Sequence, residues 1–125
     1  MRTLFAAALA LSLLAPAAQA AGSLGQMTLY PGTDIAFLKA PDRERSRDLR
    51  LCATRGHVHV LWLDVFLRNG GHRTVPVNLR LPRDHCTSWI KLRGRALGRD
   101  VHRISVHYDS FHDHSGHAVL RAEGQ

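Results

Sequence analysis

The stretch TVPVNLRL, residues 74–81, alternates without a break. Val75, Val77, Leu79 and Leu81 fall on one side of an extended chain, and Thr74, Pro76, Asn78 and Arg80 fall on the other. Successive side chains of a strand point to opposite faces, so this segment is a strand with one buried side. A helix would scatter the same apolar residues around its axis. Pro76 has no N–H to give to a ladder, which predicts an edge strand or an outward-facing gap in pairing. Just before it, Arg68-Asn69-Gly70-Gly71 is a strong hairpin signal. The residues leading into that turn, from position 56, are mostly apolar, with Val58, Val60 and Trp62 on one parity and Leu61, Leu63, Val65 and Leu67 on the other. A parity switch of this kind predicts a bulge, or a strand covered on both faces.

Further strands follow from the same reading. Ile104, Val106 and Tyr108 share a face, opposite Arg103, Ser105 and His107. Ala118, Leu120 and Ala122 share another, opposite His117, Val119 and Arg121. Leu49 and Leu51 hold one parity of DLRLCAT with Cys52 on the other; a shorter strand surrounds Trp89 and Ile90, and QMTLY opens the sheet. The charged run APDRERSRDLR, residues 40–50, reads as a solvated connector. About seven short strands, turn signals between them and no long helical pattern predict an all-β domain, a small antiparallel β-sandwich or barrel-like fold.

The first residues read as an export signal: Arg2 at the start, an apolar run to Pro16, and Ala18-Gln19-Ala20 as a small-x-small cleavage site. The run is shorter than the roughly 20 residues of a membrane span. The reading is a signal peptide over residues 1–20 and one secreted domain over residues 21–125; the 125 residues less 20 leave 105. No second apolar run of membrane length follows, so no transmembrane segment is expected after cleavage. The expected location is the bacterial periplasm or medium, and the expected state is a monomer. Removal of Arg2 lowers the formal charge from +7 to +6. Arginine supplies nearly all the cations, which suggests attraction to an anionic envelope polymer. The arginines are scattered without aromatic interleaving, which argues against nucleic-acid binding. In an oxidising compartment Cys52 and Cys86 predict one disulfide closing a loop worth about 3–4 kcal/mol, with a pair of metal-binding thiols as the alternative.

The order of RDLRLCATRGHVHVLWLDVFLRNGGHRTVPV, SWIKLRG, RDVHRISVHYDS and GHAVLRAEG resembles a family of small exported bacterial proteins, the domain-of-unknown-function 2541 group. The features that carry it are Val65 to Gly70 as a strand end and turn, Trp89-Ile90, the strand with Arg103, Ile104 and Tyr108, and the closing Ala118, Leu120 and Gly124. The resemblance covers residues 47–124 and implies a secreted all-β domain with no established reaction. The histidine-rich segment and the Cys52/Cys86 pair lie outside that pattern.

All nine histidines fall between His57 and His117. The densest stretch is HYDSFHDHSGH, residues 107–117. Were the strands on either side a hairpin, His107 would lie opposite His117, and His112 and His114 would rise over the same outward face beside Asp109 and Asp113. Imidazoles so gathered suit zinc or copper, whereas loop histidines pointing separately into solvent would bind nothing. His57 and His59 form a weaker H-x-H pair on one strand face. A hydrolase would need His107 or His114 beside Asp109 or Asp113, with Ser105, Ser110 or Ser115 as nucleophile. No nucleophile elbow or phosphate loop supports it. Trp62 and Trp89 read as core residues, with ligand stacking as the alternative. The sequence thus points to an exported binding or structural module without catalysis. Its leading ligand is a divalent transition metal, its second an anionic envelope polymer, and hydrolysis is third.

Overall fold

The structure is a computed structural model of the chain, and it describes residues 22–111 and 117–125. The leader assigned to residues 1–20 lies outside that range. The described residues form eight strands: β1 (Gly22–Leu29), β2 (Gly32–Lys39), β3 (Asp48–Arg55), β4 (His57–Leu67), β5 (His72–Leu81), β6 (Ile90–Lys91), β7 (Val101–Phe111) and β8 (Ala118–Gly124). They form two four-stranded antiparallel sheets, ordered β1-β8-β3-β6 and β2-β7-β4-β5. The sheets pack through their apolar faces. Leu29, Leu49, Leu51 and Leu120 from one meet Val60, Leu63, Ile104 and Val106 from the other in a single core. No helix among the described residues is long and apolar enough to cross a membrane.

The parity switch in β4 is a bulge. The register on both neighbours shifts between Val60 and Trp62. Val58 and Val60 point inward before it, and Leu63, Val65 and Leu67 do so after it. The bulge turns Trp62 outward, where it is 38% exposed, so the expectation of a core tryptophan fails there. Trp89 is half-buried, with the Arg50 guanidinium 4.4 Å from its ring centre.

β2 is absent from the sequence reading. Ile35, Ala36, Phe37 and Leu38 are apolar on both parities, because Ile35 and Phe37 lie on the solvent side of the edge strand. β5 is an edge strand, as Pro76 predicts, with Asn78 at φ 45° marking a local kink.

Two buried polar groups tie strands together. The Tyr108 hydroxyl accepts a hydrogen bond from the Tyr30 backbone N–H at 3.0 Å, joining β7 to the β1–β2 corner. Glu123, buried on β8, accepts from Arg50 on β3 and from Arg121 Nη2 at 2.6 Å. The Arg50 guanidinium foremost, opposed by burial and helped by Arg121, holds the Glu123 carboxyl below the usual carboxylate range.

Cys52 and Cys86 are joined by a disulfide. It fastens a segment that already runs along β3. Asp84 N–H donates to Ala53 O at 2.7 Å, Ala53 N–H to His85 O at 2.9 Å, and Thr87 N–H to Leu51 O at 2.8 Å. β6 continues this run with Ile90 opposite Leu49 and Lys91 opposite Asp48.

Candidate functional site

Strands β7 and β8 belong to different sheets, so they form no hairpin ladder and His107 does not lie opposite His117. The cause is packing. Each strand carries a full apolar face, and the two faces meet across the sandwich rather than lying side by side. His112 and His114 lie outside the described residues. His117 is exposed and stands edge-on to Tyr30, with ring centres 5.1 Å apart. Among the described residues no group of three or more His, Cys, Asp or Glu side chains stands in metal-holding geometry.

His107 instead joins the outer face of the β2-β7-β4-β5 sheet. Its register partners are Trp62 on β4 and Ile35 on β2. Its ring stacks on Trp62 with centres 4.2 Å apart. Its Nε2 lies 2.7 Å from Asp64 Oδ2. Asp64 Oδ1 meets His72 Nε2 at 3.1 Å and the Thr74 hydroxyl at 2.9 Å. An ionised carboxylate only accepts, so both rings carry a proton on Nε2 and Thr74 donates its O–H. Burial pushes the Asp64 carboxyl up, but the hydrogen bonds from Thr74, His72 and His107 outweigh it and hold the group below its ordinary value. Asp64 therefore organises two strands on this face, with its side chain only 16% exposed. His59 is engaged separately, 2.7 Å from Asn78 Oδ1. His57 and His102 are exposed on β4 and β7, and His85 is exposed on the segment that runs along β3 of the other sheet.

Asp64, His72 and Thr74 were not singled out from the sequence, although the Asn69-Gly70 turn carries the signal. Pairing outward from that turn sets Phe66 against His72 and Asp64 against Thr74.

The second feature is a cleft of about 390 Å³ between β5 and residues 90–95. Its apolar lining is Val65, Val75, Pro76, Ile90 and Leu92. Its cations are Arg73, Lys91, Arg93 and Arg95, and no acidic side chain among the described residues lines it. Arg73 lies opposite Val65 in the β4–β5 ladder, so it shares the inward side of the strand with core residues. Arg95 is half-buried, and its Nη1 is buried without a hydrogen-bond partner. None of the four cations makes an ion pair with a described residue; Arg68 and Arg99 nearby are paired with Asp42 and Asp100. Arg95 also lines a polar recess with Arg68, Asn69, Arg99 and Asp100.

The cleft exists because the two sheets end unequally. β5 has ten residues and β6, the last strand of the opposite sheet, has two. The inward side chains Val75 and Val77 are therefore only half-covered, and Leu79, opposite buried Val60, is 41% exposed. The sequence showed an arginine-rich surface but not this convergence. The signal lay in Arg73, which shares its parity with Val75 and Val77, and in the run Lys91-Leu92-Arg93-Gly94-Arg95.

No curated protein and no solved structure matches this chain. A family model does match, over residues 3–124, nearly the whole length and further toward the N-terminus than the resemblance in the strands alone. The chain belongs to the domain of unknown function 2541 (DUF2541) family.

Proposed function

We propose that this chain is an exported, non-catalytic binding module that takes an anionic ligand at the cleft between β5 and residues 90–95. One observation carries the reading: four cations that make no ion pair with a described residue converge on an apolar concavity. Concave, mostly apolar walls with a few placed polar groups are the usual form of a ligand site. Four like charges held together repel one another, and an anion relieves that repulsion. Arg73 and Arg95 are only partly exposed, so their charges are less screened than those of surface side chains.

Divalent-metal capture around residues 107–117 is supported by the sequence alone. His107 and His117 are the members of that set among the described residues; His107 lies on β7, and His117 immediately precedes β8, a strand of the other sheet. Among the described residues the hydrolase reading gains no support at His107, whose ring is held by Asp64 and stacked on Trp62.

The test is titration of the mature protein with inorganic pyrophosphate by calorimetry at about 50 and 200 mM salt, compared with an Arg73→Gln/Arg93→Gln/Arg95→Gln variant. The expected result is binding that weakens as salt rises and is lost in the variant, as charge-driven association requires. Equal affinity in the variant, or binding indifferent to salt, overturns the reading.

A further inference from the structure

We infer that the ligand of this cleft is a single-chain anionic amphiphile, whose phosphate or carboxylate head meets the cations and whose hydrocarbon chain lies on the apolar floor. This rests on the reading of the cleft as an anion site and goes beyond it. A polyanion such as a sugar phosphate polymer needs cations along a surface track and gains nothing from an apolar floor. Here the floor is continuous with the core. Val65 and Leu92 are core residues seen from their open side, and Val75 and Ile90 are core-facing side chains left half-covered by the two-residue β6. Exposed core-facing surface of this kind is what a hydrocarbon chain covers most favourably.

The charges complement one end of such a molecule and the walls the other. Arg95 lies where the cleft adjoins the polar recess of Arg68 and Asp100. That end suits the head. The Val65, Val75 and Ile90 surface suits the first methylenes of the chain. A volume of about 390 Å³ is near the lower end for ligand pockets, so it accommodates a head and a short run of chain and not a bilayer patch. The inward placement of Arg73 fits the same ligand, because a cation over an apolar floor is placed to meet a charged head while its own stem packs on the walls.

The test is a homologous series of alkyl phosphates (ethyl, butyl, hexyl and octyl) kept below micelle-forming concentration and titrated into the mature protein beside inorganic pyrophosphate. Burying a methylene strengthens binding by up to about fourfold, so affinity is expected to rise about two- to fourfold per carbon and then level off once the cleft is filled. Val75→Ser, on the apolar floor, is expected to flatten that rise, and a rise that survives it overturns the placing of the chain there. Pyrophosphate binding with no gain along the alkyl series overturns the amphiphile and leaves the anion site standing. Failure of both ligands overturns both readings. A chain-length gain that survives in the Arg73→Gln/Arg93→Gln/Arg95→Gln variant removes the head-group assignment. Binding to phosphatidylglycerol vesicles without binding of monomeric octyl phosphate assigns the cations to a membrane surface and overturns the proposal.

Discussion

Removing the disulfide tests both the stability of the domain and the setting of the cleft. Cys52 and Cys86 are separated by 34 positions. Closing a loop of that size in the unfolded chain costs about 12.6 cal/mol/K, so a Cys52→Ala/Cys86→Ala variant is expected to lose about 3.8 kcal/mol at 25 °C. For a domain of this size the loss corresponds to about 15–25 °C in melting temperature. Guanidinium unfolding followed by tryptophan fluorescence measures it. The midpoint is expected to fall, and the slope to steepen because the uncrosslinked unfolded chain exposes more surface. The bridge also anchors the strip that runs from Asp84 through β6 into the wall of the cleft, where Ile90 and Lys91 pair with β3 and Leu92 N–H donates to Arg47 O at 3.0 Å. Pyrophosphate affinity in the folded variant is therefore expected to drop. A stability loss below about 1 kcal/mol refutes the entropic reasoning, since the unfolded loop would then already be constrained without the bridge. A large stability loss with unchanged affinity refutes the link between bridge and cleft, leaving the β3 ladder alone to hold the wall.

Two further predictions concern the polar contacts. Asp64 has a carboxyl pKa lowered by folding, so its stabilisation is present above the unfolded value near 3.9 and is lost as pH falls through the lower folded value. Asp64→Asn is expected to cost about 1–2 kcal/mol at pH 5, and urea unfolding should find the gap to wild type closing toward pH 2. Glu44, Asp100 and Glu123 are lowered too, so both proteins weaken in acid and only the difference isolates Asp64; a gap constant with pH contradicts the assignment. Tyr108→Phe removes the acceptor of the Tyr30 N–H and is expected to cost about 1–3 kcal/mol, read by thermal unfolding. A neutral or stabilised variant means that Tyr30 N–H finds water instead.

Much of the fold was legible because most strands bury one face. Alternation in residues 74–81, the Asn69-Gly70 turn and the parity switch before Trp62 lead to an edge strand, a hairpin and a bulge that are all present. The strands that escaped or misled did so for physical reasons. β2 is apolar on both faces because its outer residues, Ile35 and Phe37, stay exposed at the sheet edge, so period two vanishes there. β7 and β8 are neighbours in sequence and each reads as half-buried. Nothing in period two says whether two such strands share a sheet or face each other across a core. The second arrangement holds, and it separates His107 from His117.

The sites were less legible, because each depends on what lies across a strand and not along it. Asp64, His72 and His107 come from three stretches of chain, and only the register of β4 with β5 and β7 gathers them. The cleft depends on a difference in length between strands of opposite sheets, ten residues against two. Had β6 been as long as β5, Val75, Val77 and Leu79 would be sealed, and Arg73 on the same side would be a buried charge without a partner, which a fold tolerates poorly. The short strand and the inward arginine therefore imply each other: one opens the space, and the other is acceptable only because the space is open. An edge that needed nothing more than protection from pairing has that already in Pro76 and the kink at Asn78. The gap is thus where Arg73 keeps its charge open to solvent, and it is there that the proposed anion would meet it.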